Sequence, residues 1–183
     1  MIYYTKTTRF FSAMLMVGGV FGLFATLAAG AQLAKQHWLF ALPMLALAAL
    51  FAWAAFAGLR LWQGTPYGRK WATILFASQV PILALPGFRY QWFTGAQFGP
   101  YLRWGDGSVT ANFGANFGAN GDFFMGSALV GSSVGVNLFA VIAFVMLLRA
   151  NIHAARAEAI SRQVLPHPDR PMMRESAPSA EGE

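Results

Sequence analysis

The run Trp71 to Phe88, WATILFASQVPILALPGF, carries no charge over 18 residues. Its reading decides how often the chain crosses a membrane. A bilayer core about 30 Å thick needs about 20 helical residues, and 18 residues rise about 27 Å. Pro81 lies inside the run. Proline is tolerated in a membrane helix where neighbours re-satisfy the freed carbonyl. The run therefore reads as a spanning helix with a kink.

Three longer uncharged runs flank it: Phe10 to Ala34, Gln36 to Leu59 and Phe123 to Leu148. Each exceeds the length needed to span. The composition agrees, with 56% hydrophobic and 11% charged residues. A soluble domain carries about 25% charged residues, so an ordinary water-soluble enzyme is excluded. The expected fold is an all-α membrane protein: a four-helix transmembrane bundle with a small extracytoplasmic loop that contains a β-hairpin. Residues 1–165 form the integral membrane domain in this reading. Residues 166–183, rich in Pro, Ser, Glu and Arg, form a disordered cytoplasmic tail.

The first run has a rival reading. Lys6 and Arg9 precede it, and Ala29-Gly30-Ala31 has the form of a signal-peptidase site. A signal core is about 7–15 residues long, and this run is longer, which favours an uncleaved helix.

The charges give an orientation. Ten Lys and Arg, including Lys6, Arg9, Arg60, Arg69, Lys70 and Arg149, fall on one side of the four runs. Lys35, Arg89 and Arg103 fall on the other. Cytoplasmic flanks are enriched in Lys and Arg, so both termini are expected in the cytoplasm. Ten Arg against three Lys, with abundant Ala, suggest a bacterial inner membrane. The net charge of +6 is read as topology. Nucleic-acid binding would want a basic stripe with aromatic platforms. Arg149, His153 and Arg156 share a helical face and are expected to meet anionic headgroups.

Small residues recur every four positions in the first run, at Gly18, Gly22, Thr26 and Gly30, and in the last, at Ser127, Gly131 and Gly135. Such ridges let membrane helices approach closely. They predict packing within one bundle, or docking of a partner helix. Gln79 and Asn137 are the strong hydrogen-bonding side chains deep in the runs. They are expected to bond each other and fix helix register. A polar lining for a solute path is the alternative.

The connection from Arg89 to Asp122 holds eight aromatics and seven Gly. Asp106-Gly107 is a two-residue hairpin signal that pairs Trp104 with Val109 and Leu102 with Ala111. Upstream, Tyr90, Trp92 and Thr94 alternate with Arg89, Gln91 and Phe93, which suits a short strand. The units Ala111-Asn112-Phe113-Gly114, Ala115-Asn116-Phe117-Gly118 and Ala119-Asn120-Gly121-Asp122 repeat with a period of four. They read as successive turns. Asp106, Asn112, Asn116, Asn120 and Asp122 offer oxygens, but two carboxylates are few for calcium. Tyr90, Trp92, Phe93, Tyr101, Arg103 and Trp104 are the candidate docking residues of this loop.

Several chemistries are absent. With no cysteine, disulfides, thiol catalysis and thiolate metal sites are excluded. The layout is similar to that of four-helix membrane thiol oxidoreductases, which also carry the longer loop outside, but that chemistry cannot operate here. His37, His153 and His167 fall in separate regions. No catalytic set, metal site or cofactor is expected. The leading expectation is a non-enzymatic accessory or partner-docking protein. Its partners would be the lipid bilayer and another membrane protein or a second copy. The alternatives are an oligomeric channel or transporter, with Gln79, Pro81 and Asn137 along its path, and an enzyme acting on lipids.

Overall fold

The computed structural model describes residues 6–35, 38–105, 107–125 and 131–164. The elements run α1 (Lys6–Ala34), a single 3-10 turn (Trp38–Phe40), α2 (Ala41–Trp62), α3 (Pro66–Ser78), β1 (Pro81–Leu85), β2 (Phe88–Gly105), β3 (Ser108–Met125), β4 (Ser132–Val136) and α4 (Leu138–Val164). Over the described residues the fold is mixed α/β, four helices and a four-stranded antiparallel sheet, and not the all-α bundle expected. Among the described residues, three helices are long and apolar enough to cross a membrane: Lys6–Ala34, Ala41–Trp62 and Leu138–Ser161. A membrane environment follows from them.

The run 71–88 is where the expectation fails first. Its helix, α3, starts earlier and stops at Ser78. Thr65 caps it, the hydroxyl accepting from the Gly68 N–H at 3.1 Å, and Pro66 occupies the first turn. Proline suits that position because its missing N–H has no helical partner there. Pro81 acts in the opposite sense. It pushes the residue before it out of helical angles and opens β1 as the first residue of a strand. Thirteen residues of α3 rise only about 20 Å.

The run 123–148 divides in the same way. Its first residues finish β3, Ser132–Val136 form β4, and helix begins only at Leu138. Gly131 has a φ of +88°, a left-handed angle that glycine adopts without strain. Val134 and Val136 favour extended backbone over helix. Asn137 then caps α4, its Oδ1 accepting from the Ala140 N–H at 3.4 Å. Arg149 is the twelfth residue of α4, so that helix rises only about 17 Å before its first charge.

The hairpin is the expected one enlarged. Trp104 pairs with Val109 and Leu102 with Ala111, as the turn signal required, with Gly107 at φ +75°. The pairing continues to Phe88 opposite Met125. The Tyr90–Thr94 strand is thus the first part of β2, and the Asn-Phe-Gly repeat is strand, not turns. A period of four contains a period of two, and the ladder with β2 supplies backbone partners that isolated turns would lack. The pairings also form a circuit: β1 pairs with both β2 and β4, and β4 pairs with the far end of β2.

Close backbone approach joins helices to each other and to the sheet. Gly19 of α1 lies against the backbone of Ala55 on α2, and Gly58 against Met16 and the Ser12 carbonyl. The Ser12 hydroxyl donates to the Gly58 carbonyl at 2.5 Å. Gly18 meets the backbone of Thr94 and Gly95 in β2, where Gly95 has φ +88°. Phe11 of α1, Phe76 of α3 and Phe139 of α4 form an edge-to-face cluster with centroids 5.7 to 6.1 Å apart. Such pairs add stability beyond their buried area.

Candidate functional site

The site is built on the middle of β2. There β1 has ended and β4 has not begun, so one edge of β2 lacks a strand. Gln79 and Asn137 fill that gap. Gln79 follows α3, and Asn137 separates β4 from α4. Both are buried. Gln79 Oε1 accepts from the Thr94 N–H at 3.1 Å, and its Nε2 donates to the Thr94 hydroxyl. Asn137 Oδ1 accepts from the Phe98 N–H at 3.3 Å, and its Nδ2 reaches the Ala96 carbonyl at 3.5 Å. Contrary to the expectation from sequence, the two amides do not bond each other: each bonds β2 instead. They stand in for the missing strand, because a buried, unpaired backbone group is costly.

The two faces of the hairpin differ in chemistry. Gln91, Gln97, Tyr101, Asn116 and Ser133, with Ile82, Gly99 and Gly114, line a cavity of about 240 Å³. Gln91 Nε2 donates to Gln97 Oε1 at 3.0 Å across the Gly95 position. At the margin Arg89 pairs with Asp122 at 2.8 Å. The opposite face is apolar. Trp92 packs edge-on against Phe51 of α2 and Phe98 against Phe139 of α4. Further along it, Val109, Phe113 and Phe117 are 73, 65 and 82% exposed. Among the described residues β3 pairs only with β2, so its other edge has no strand partner. Part of that apolar face is covered where Gly121 meets Leu47 of α2.

The candidate residues read from sequence separate accordingly. Trp92 and Phe93 are buried and structural. Tyr90 is half-buried, its hydroxyl donating to the Ser78 carbonyl at 2.6 Å and accepting from Trp92 Nε1 at 3.2 Å. Tyr101 lines the polar cavity, while Arg103 is exposed and Trp104 stands on the exposed apolar face. Gly18 and Gly22 are consumed inside the molecule, Gly22 against the Phe51 ring and Gly30 against Met44. Gly131 and Gly135 are not on a helix. Gly135 lies in β4, against Tyr101. Ser127 and Asp106 lie outside the described residues, as does the tail. Among the described residues no group of His, Asp or Glu is arranged to hold a metal ion.

Sequence reasoning missed Gln97, Asn116 and Ser133 as partners. The signal was present: from Leu102 to Asn120 apolar and polar or small residues alternate, the pattern of a strand with one wet and one apolar face. Comparison with family models, with curated proteins and with solved structures finds no match to this chain.

Proposed function

We propose that this is a non-enzymatic docking protein of the inner membrane, with both termini cytoplasmic, whose working surface is the apolar face and free edge of β3. The observation that carries this reading is the edge itself. Arg9, Arg69 and Arg149 would mark the cytoplasmic border. Measured from them along their helices, Gly18, Gln79 and Asn137 lie roughly 14, 15 and 18 Å in. That is near the middle of a core about 30 Å thick. Gly18 touches Gly95, and Gly95 pairs with Gly118 of β3. The middle of β3 therefore shares that depth. Open sheet edges facing lipid do not persist in hydrocarbon, because water is absent to satisfy their backbone groups.

The occupant best supported is β3 of a second copy. The stretch 108–121 carries no charge, so two copies do not repel. Antiparallel pairing about Phe113 sets Val109 opposite Phe117 and Thr110 opposite Asn116, apolar against apolar and polar against polar. Small-residue helix faces do not compete, since they already serve the α1–α2 contact.

The native chain has no cysteine, which makes the test clean. Single cysteines placed from Ala111 to Phe117 in the full chain, in membranes, are oxidised and run without reductant. Disulfide dimers peaking at Phe113→Cys are expected, with none from Phe21→Cys on the exposed face of α1. Absence of dimers along β3 in a monomeric protein overturns the reading. Disulfides or crosslinks to a different protein keep the docking surface and remove the second copy.

A further inference from the structure

A second cavity lies at the opposite end of the molecule, and the hairpin does not touch it. It measures about 790 Å³ and is lined by the start of α1, by Arg69 of α3 and by α4. Its polar walls are Thr7, Thr8, Arg69, Arg149, His153, Glu158 and Ser161. Arg69 is its unusual member. The residue is only 8% exposed, and its Nε is buried with no hydrogen-bond partner. It makes no ion pair among the described residues. A buried guanidinium without an anion is costly, and arginine is suited to planar, bidentate recognition of oxyanions.

We propose that this cavity binds a phosphate group, with Arg69 as its buried anchor and Arg149 and His153 as outer donors. The Thr7 hydroxyl adds a neutral donor. Glu158 also lines the cavity, nine residues beyond Arg149 on α4, about 14 Å along the helix. The remaining wall, Phe11, Met146 and Leu147, is apolar and suits the glycerol and first acyl carbons of a phospholipid. Basic pockets between membrane helices on the cytoplasmic side take anionic headgroups in this way. The same donors would also hold free inorganic phosphate.

The test uses the full chain in neutral detergent. Retained lipid is counted by native mass spectrometry, and the melting temperature is followed on adding phosphatidylglycerol, phosphatidylcholine or inorganic phosphate. Phosphatidylglycerol is expected to stay bound and to raise the melting temperature, with phosphatidylcholine at least tenfold weaker. Arg69→Gln should lose about tenfold in phosphatidylglycerol binding, while Arg60→Gln, an exposed charge on the same border, should lose little. A melting rise from inorganic phosphate equal to that from phosphatidylglycerol keeps the site and assigns it to free phosphate. Equal retention of the two lipids, or equal losses in Arg69→Gln and Arg60→Gln, overturns the proposal. Should Arg69→Gln fail to fold, the exposed pair Arg149→Gln with His153→Gln carries the same test.

Discussion

The α1–α2 pair and the β unit between residues 81 and 136 meet one constraint by opposite means. Backbone groups out of water must find partners. In α1 and α2 each segment satisfies itself, so what joins them is close approach at Gly19 and Gly58. In the β unit the partners come from elsewhere in the chain, and at the centre of β2 they come from the side chains of Gln79 and Asn137. The helical half should therefore be sensitive to added volume. The β half should be sensitive to the loss of an amide.

The largest effect is expected at Asn137. Replacing it by leucine removes the acceptor for the Phe98 N–H, the donor to the Ala96 carbonyl and the cap on Ala140. A buried polar group left unsatisfied costs about 1–3 kcal/mol, and a lost cap about 0.5–2 kcal/mol. Asn137→Leu should lose about 3–5 kcal/mol in a reversible denaturation measured in mixed micelles. Gln79→Leu strands the Thr94 N–H and hydroxyl and should cost about 2–4 kcal/mol. Leucine tolerated at both positions would mean that the middle of β2 reaches water, and the contrast with the helices would collapse.

Next in size is a volume test on α1. A methyl group on Gly18 would run into the backbone of Thr94 and Gly95, which cannot step aside. On Gly30 it would meet only the Met44 side chain, at 3.1 Å. Overpacking against fixed groups costs about 1–3 kcal/mol, whereas a flexible methionine yields. Gly18→Ala should destabilise by about 2 kcal/mol and Gly30→Ala by under about 0.5 kcal/mol, read by the same denaturation. Equal effects would show that α1 and β2 are not in register at Gly18.

The helical half was legible because a run of apolar residues and a small-residue ridge need no information from elsewhere in the chain. Gly18, Gly22 and Gly30 lie on the buried face of α1, Gly22 and Gly30 against α2 and Gly18 against the sheet. The β half was only partly legible. Asp106-Gly107 fixed the register locally, and 18 pairs follow from that one turn. The apolar runs around Gln79 and Asn137 could not be divided by hydropathy, since a buried strand and a buried helix segment look alike on that measure. Pro81, Gly131 and Gly135 were the local signs of extended backbone. Length outweighed them because 18 and 26 uncharged residues fit a bilayer so well. The roles of Gln79 and Asn137 depend on β2 passing between them, and no local pattern encodes that contact. Arg69 read as a topogenic charge for the same reason: its burial is set by α4, 69 residues further along at Leu138.

The smallest effect separates the two halves most finely, because it tests depth. Arg89 and Asp122 join β2 to β3 at 2.8 Å, and each side chain is more than a third exposed. A pair of that kind contributes about 0–1 kcal/mol in contact with water and is weakened by salt. Arg89→Gln should therefore cost under about 1 kcal/mol in dilute buffer, and the cost should shrink further at 0.5 M salt, against a Debye length of about 10 Å at 0.1 M. That outcome would put the Phe88 end of β2 at the headgroup level or beyond, with Thr94 to Phe98 as the deepest part of the sheet. A salt-independent loss above about 2 kcal/mol would instead place the pair in a dry environment, where breaking an ion pair strands a charge. The whole β unit would then sit deeper than the helix rises indicate, and more of the free β3 edge would need cover.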